Sequence, residues 1–493
     1  MCLIVYMILN AIAFGITYYR YRTGDNKAVY ELLGEGVTMA RGAAAMLNFN
    51  CAIILFTVCR NLLTRLRSTF VHSLLPLDSN IQFHKLCAWV IALSVATHAT
   101  AHYYNYETLG DVLPVSSHRL AYGTVAGATG HVITMTMVIM YTAAMEKVRK
   151  QCFELFWFSH HLFVVFFGVL LIHGTPSFLQ PNQFWGWFLI PGMAYCMERL
   201  IRVVRGDFTT EVAAIIQHPS SVIELQLRKP STSIVAGQYI FVCCPSIAPY
   251  EWHPFTLTSA PAEDIVSVHI RVVGDWTKAL AARLGLAWTK GGDPIDADAG
   301  PGGYGIAFKI DGPFGTASED VYDYEVAVLV GAGIGVTPFA SILKDLWYRI
   351  MEVSQLKLRR VYFIWTARDK SAFEWFASII SALEGENLDD FLRISVYLTA
   401  KLSLEEAREI AYAGGEGTND AITGLRSPTF FGRPNFDQIY QQVRDENYDP
   451  SRLTVCGVFL CGPAVIAKKL RFLANKYTDK QRGWAVVFHK ENF

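Results

Sequence analysis

Six apolar runs, each about as long as a lipid crossing, fill the first two-fifths of this 493-residue chain and leave that part little choice of surroundings. They cover residues 1–19, 37–59, 86–104, 122–145, 153–172 and 184–201. About twenty apolar residues carry a helix through a bilayer. The first run has neither a basic leader nor a small-residue cleavage site, so it reads as a retained anchor rather than a signal peptide. An even number of crossings puts both ends on one side. Arg60, Arg65, Arg67 and Lys85, then Lys147, Arg149 and Lys150, and finally Arg199, Arg202 and Arg205 mark that side as cytoplasmic. Arg20, Arg22 and Lys27 lie opposite and soften the contrast. Lys and Arg total 43 against 43 Asp and Glu, so no basic excess points to nucleic acid.

Beyond about residue 207 the pattern changes. Runs at 221–227, 238–243, 266–273 and 307–310 are short, β-branched and bounded by Gly or Pro, which predicts a small antiparallel barrel. Residues 290–304, rich in Gly, Asp and Pro, read as a surface loop. Strand-like runs at 326–330, 360–365 and 393–398 then alternate with helical ones at 339–350 and 372–384. That alternation predicts a parallel, doubly wound sheet. Residues 402–418 read as an insertion. The expected organisation is a six-helix transmembrane domain over 1–205, an antiparallel β-barrel over 206–318 and an α/β domain over 319–493.

Four histidines stand inside the apolar runs, where polar side chains are costly and usually functional. His84 and His98 are 14 residues apart on the third run; His160 and His173 are 13 apart on the fifth. A rise of about 1.5 Å per residue separates each pair by roughly 20 Å, one histidine towards each leaflet. Two helices so marked can clamp two haems, each iron held by one imidazole from either helix. The alternative is four histidines that only bond neighbouring helices, which the matched pairing argues against. Fourteen residues nearly restore the same helical face, whereas thirteen leave it about 140° away. The fifth run therefore tilts or tightens, or the haems are offset. His161 is an alternative ligand to His160, and His102, a turn beyond His98, is either functional or interfacial.

The second half carries nucleotide signals. His253-Pro-Phe-Thr-Leu-Thr-Ser-Ala-Pro261 follows a strand, and His269-Ile-Arg271 adds a cation suited to a diphosphate. Together, in this order, they point to a flavin. Gly331-Ala-Gly-Ile-Gly-Val-Thr-Pro338 follows an apolar strand and opens a helix, a setting in which the backbone can approach a pyrophosphate. Cys461-Gly-Pro463 follows another strand, read as a sheet edge facing the same crevice. Arg368 and Arg433 can bind a 2′-phosphate and favour NADPH, although isolated arginines are more often solvated.

These features resemble the NADPH oxidase family, the phagocyte-type catalytic subunits in particular, over nearly the whole chain. The likeness includes residues 40–50 (ARGAAAMLNFN), 83–85 (FHK), 159–163 (SHHLF), 459–463 (FLCGP) and 490–493 (KENF). The resemblance implies NADPH, FAD and two b-type haems, with electrons leaving to oxygen as superoxide. It implies that His84 and His160 hold an inner haem and His98 and His173 an outer one. Phe166 would lie between them, Arg41 and His102 near the outer haem, and Arg60 near an inner propionate. His253, Pro254, Phe255, Thr256, His269 and Arg271 would form the FAD set, and Phe493 a terminal aromatic over the flavin. Gly331, Gly333, Gly335, Pro338, Arg368, Arg433 and Cys461 fall on the NADPH side. Cytosolic activator subunits and a Rac-type small GTPase are the implied partners.

The stretch from Gly174 to Gln183 is short, and in the family a long loop there goes with peroxide release. The first run starts at residue 1, without the N-terminal segment of relatives, and no calcium-loop motif precedes the apolar part, which argues against activation by calcium within the chain. The rival enzyme is a ferric-chelate reductase with the same cofactors; the unequal histidine spacing and the terminal phenylalanine favour the oxidase. A haem-bearing protein that only scaffolds or senses is the rival of another class, and the flavin and NADPH motifs argue against it.

Overall fold

Backbone amides have no water to bond in lipid, so a crossing segment must satisfy them within itself. In the computed structural model no strand occurs before Thr209 among the described residues, and the apolar runs are helices. The structure describes residues 2–24, 26–175, 181–228, 233–289, 292–295, 306–352, 356–386, 388, 390–400, 419–420 and 422–491. The chain divides into two units, Met1–Ile201 and Arg202–Phe493.

The first unit contains α1 (Cys2–Thr23), α2 (Glu35–Phe56), α3 (Asn80–Val112), α4 (Val125–Ala144), α5 (Phe153–His160) and α6 (Phe163–Ile172). The sixth run forms α7 (Phe184–Asp207), which begins here and ends beyond Ile201. Among the described residues four segments are long and apolar enough to cross a membrane: Cys2–Thr23, Glu35–Phe56, Val125–Ala144 and Phe153–Ile172. The core is apolar, with Cys51, Ile91, Val95, Ile133, Met137, Met140, Phe166 and Phe184 packed together. Large apolar side chains also face outwards; Trp89 and Ile190 are 72% and 71% exposed, as a lipid solvent requires.

The fifth run resolves the thirteen-residue puzzle. It is one segment in length but two helices in conformation, α5 and α6, joined at His161 and Leu162. There the amides of His161, Leu162 and Val164 bond three residues back, to Phe158, Ser159 and His161. Such tightening turns the chain about 120° per residue instead of 100°. His173 then leaves the helix with an extended backbone (ψ 127°). The tightening carries His173 towards the face of His160, while its own ψ redirects only the chain that follows.

The second unit opens with an antiparallel sheet of β1 (Thr209–His218), β2 (Val222–Arg228), β3 (Tyr239–Cys243), β4 (His253–Thr256), β5 (Val266–Arg271) and β8 (Phe308–Phe314). A two-residue pair, β6 (Ala287–Trp288) and β7 (Pro294–Ile295), lies apart, β7 falling in the stretch read as loop. Strand order is β4-β3-β8-β1-β2-β5, and a bridge from Leu257 to Val268 brings the two edges together as a barrel. Alternate residues fill it: Ile223, Leu225 and Leu227 from β2, Val268 and Ile270 from β5.

A parallel sheet follows, ordered β12-β11-β10-β9-β13-β14. Its strands are β9 (Val326–Ala332), β10 (Arg360–Ala367), β11 (Leu392–Leu398), β12 (Thr429–Phe431), β13 (Thr454–Cys461) and β14 (Trp484–Lys490). Ala327 and Leu329 face one core and Val326, Val328 and Val330 the other, which is why β9 reads as an unbroken apolar run. One expectation is corrected. The strand before Cys461 is not an edge: β13 lies between β9 and β14, buried on both faces. The expected insertion at 402–418 lies outside the described residues.

Candidate functional site

In the first unit the four histidines meet as two pairs. His84 and His160 have ring centroids 6.3 Å apart; His98 and His173 are 6.2 Å apart. That gap suits a metal bonded at about 2 Å to one nitrogen of each ring. Neighbouring hydroxyls decide which nitrogen is free. Thr129 donates its single hydroxyl proton to the Val125 carbonyl at 2.6 Å, so its oxygen can only accept from His173 Nδ1, 2.8 Å away. Thr57 likewise donates to the Ile54 carbonyl and accepts from His84 Nδ1 at 2.8 Å. His98 Nδ1 donates to the Ala40 carbonyl at 2.9 Å. Three rings therefore carry the proton on Nδ1 and leave Nε2 with a bare lone pair, as axial ligands with an outer-shell partner do. His160 departs from this pattern: its buried Nδ1 has no hydrogen-bond partner among the described residues. His161, the alternative ligand, instead bonds back to the Trp157 carbonyl at 2.7 Å. The residues fit two bis-histidine haems.

Around the second pair, the His102 ring stands edge-on to His98 at 4.5 Å. Arg41 follows the residue whose carbonyl fixes His98. Its guanidinium lies 5.5 Å over the Tyr21 ring, and its buried Nε has no partner among the described residues. Phe166 is buried beside Ile91, and these residues lie midway along the two histidine spacings. Arg60 starts a short helix, Arg60–Arg67, whose Asn61 gives its backbone and side-chain N–H groups to the buried carboxylate of Glu198 on α7.

In the second unit, β4 presents His253, Pro254 and Phe255 with some exposure and buries Thr256. The His253 ring lies 4.2 Å from that of Trp276, whose buried indole N–H has no partner among the described residues. Burial lowers His253 below the ordinary histidine range, against the pull of Glu251 at 3.4 Å. The permanent cation is therefore Arg271, exposed at the end of β5. His269, two residues earlier on the same face, is buried against Trp375, and that burial pushes it down to about 3.

Arg271 also links the two nucleotide signals: its Nη1 lies 3.9 Å from where a Cβ on Gly333 would stand. Gly333 has φ +57°, the left-handed region that glycine adopts without strain. A Cβ at Gly335 would overlap the Cys461 carbonyl oxygen and lie 3.3 Å from its Sγ. The glycine turn and Cys461 therefore touch across the β9–β13 boundary, with Pro338 opening α8 (Thr337–Met351). Arg368 and Arg433 are exposed just beyond β10 and β12, at the carboxyl ends of their strands, where ligands bind in such sheets. These residues fit a flavin and a dinucleotide. Phe493 lies outside the described residues; Glu491 accepts from the Ser318 amide at 2.8 Å.

Comparison with known proteins agrees across the chain. Residues 41–171 match the ferric reductase like transmembrane component, 208–318 an FAD-binding domain and 324–475 the ferric reductase NAD binding domain. A superoxide-generating NADPH oxidase heavy chain of Dictyostelium discoideum is 44% identical, covering 99% of this chain and 96% of that one. The chain belongs to the NADPH oxidase family. NADPH oxidase 1 of Rattus norvegicus (37% identical, covering 100% and 98%) and NADPH oxidase 3 of Homo sapiens (36%, covering 98% and 96%) are further relatives. As in the family, the cofactors are FAD, NADPH and two b haems.

Sequence reasoning missed Thr57, Thr129 and Trp276. For the threonines the linear pattern holds no signal, because each also makes the ordinary bond to its own helix. Trp276, three residues after the exposed Val273, could have been suspected from an apolar ring beside Asp275 and Gly274.

Proposed function

We propose that this chain is a transmembrane NADPH oxidase that passes electrons from NADPH through FAD and two b haems to oxygen, releasing superoxide. The two imidazole pairs, with their Nε2 lone pairs left free, carry this reading. When bound, the flavin accepts hydride and releases single electrons, and the haems relay them. His84 and His160 hold one iron, His98 and His173 the other, with Phe166 between. Arg41 and His102 offer a cation and a hydrogen-bond donor beside the second pair, where a developing superoxide anion is stabilised. Arg60 takes an inner propionate. His253, Pro254, Phe255 and Thr256 line the flavin, Arg271 binds its diphosphate, and His269 supports that strand from behind. Gly331, Gly333, Gly335, Pro338 and Cys461 seat the NADPH, Arg368 and Arg433 take its 2′-phosphate, and Phe493 shields the flavin edge. Six apolar runs read as crossings, with the Lys and Arg clusters, support cytoplasmic termini, and the chain is read as domains at 1–205, 206–318 and 319–493. Cytosolic activators and a Rac-type GTPase are the expected partners on grounds of resemblance.

The test is an optical and kinetic assay of the purified full chain in vesicles. Two low-spin b haems, one flavin, and NADPH-driven dye reduction abolished by superoxide dismutase are expected. Ferric-chelate reduction without superoxide would make it a reductase instead.

A further inference from the structure

A second cluster of metal-binding side chains stands away from the haem histidines. In the barrel, register places Glu224 directly across from His269 and also across from Ile216. His218 is two residues beyond Ile216, so side-chain alternation returns it to the same face. One ring nitrogen of His218, one of His269 and a Glu224 oxygen all lie within 4.8 Å of one another. We propose that these three residues form a site for a divalent transition metal, with zinc the best match to two imidazoles and a carboxylate.

The distances support a site more than a simple hydrogen-bonded trio. His218 Nε2 is 2.9 Å from Glu224 Oε2, but His269 Nε2 is 3.5 Å from the same oxygen, beyond the usual N–H···O range. Ligand atoms on a tetrahedral zinc with bonds of about 2 Å lie roughly 3.3 Å apart, between these two values. The outer shell is also in place. His269 Nδ1 meets the Thr258 hydroxyl at 2.9 Å, and Glu224 Oε1 accepts from Gln226 at 2.7 Å. The His218 and His269 rings stack at 5.3 Å, and Trp375 covers the far side of His269 at 4.5 Å. His218 keeps 18% of its side chain exposed, which leaves a route in and a fourth position for water. The same hairpin reaches the nucleotide-binding lobe through Ser220, which bonds Ser371 at 2.8 Å and Asp369 at 3.1 Å. A metal here would pin the β1–β2 hairpin to β5, beside Trp375. Neither His218 nor Glu224 belongs to the flavin set; His269 is the one ligand shared with it, so the test is made on His218 and Glu224.

Zinc content decides the matter. The full chain in detergent is loaded with zinc, freed of unbound metal, and measured by mass spectrometry with haem iron as internal standard. We expect about one zinc per two irons, and a drop of roughly tenfold or more in H218A and E224Q with the two-haem spectrum unchanged. Wild-type protein that keeps no zinc, or variants that keep as much as wild type, would overturn the site. X-ray absorption at the zinc edge of wild-type protein needs no variant: nitrogen and oxygen neighbours at about 2.0 Å with imidazole scattering support it. A sulfur shell alone refutes it.

Discussion

Thr129 has one proton and gives it to its own helix, which is why His173 must donate to it and face the metal with the other nitrogen. Thr129→Val removes that acceptor. Superoxide production should fall roughly 10- to 100-fold, with one haem altered in the low-temperature spectrum. Thr134→Val is the control, since among the described residues that hydroxyl bonds only the Gly130 carbonyl, at 2.8 Å; it should leave both haem bands unmoved. Gly335→Ala should do the opposite. Its methyl would overlap Cys461, so NADPH-driven flavin reduction should drop at least about tenfold, about 1.4 kcal/mol of transition-state stabilisation, while dithionite still reduces both haems. Residues were legible in the sequence where chemistry and setting clash. Histidines inside apolar runs announce themselves; a threonine serving two helices does not, because its local bond looks complete.

Among elements, the end of α7 is tied to the barrel by charge. Asp311 on β8, 1% exposed, accepts from Arg202 Nε at 2.5 Å and Arg205 Nε at 2.8 Å, and both guanidiniums lie over Phe314. Asp311→Asn leaves two half-buried cations short of a counter-charge. It should cost about 3 kcal/mol or more, read as a lower melting midpoint of the purified chain. A milder case is Asp420, which accepts from the amides of Ile422, Thr423 and Thr429. Burial raises its carboxyl, but the Thr429 and Thr423 hydrogen bonds outweigh that and hold it below the ordinary aspartate range. Its contribution is therefore complete above about pH 4 and fades as pH falls through the lowered value. Asp420→Asn should flatten the acid side of a melting-point-versus-pH curve. Element types were readable from periodicity, as with β9 and the helix after its glycines. The sheet edge was misplaced because β14 sits at the end of the chain and its Trp484–Lys490 run looks like a tail until paired with β13. The break in the fifth run was invisible, since no Gly or Pro marks it at His161 and Leu162 and only geometry distinguishes one helix from two.

At the scale of the molecule, two separately cored units predict separable losses. Arg271→Ala should deplete flavin and leave both haem bands intact; His98→Ala should remove one haem and leave NADPH bleaching of the flavin intact. Absorbance of each purified variant reads both at once, and joint loss of flavin and haem would contradict the division. The division itself was plain in the sequence, where unbroken apolar stretches give way to alternating ones. The turn at His161 and Leu162 has a further consequence. A single rigid rod would force both imidazoles to shift together whenever either was adjusted, whereas two rods on a joint let each settle alone. On this side of the pair, substitutions around one imidazole can therefore drift in evolution, or be engineered, without moving the other, while His84 and His98 stay coupled through the unbroken α3.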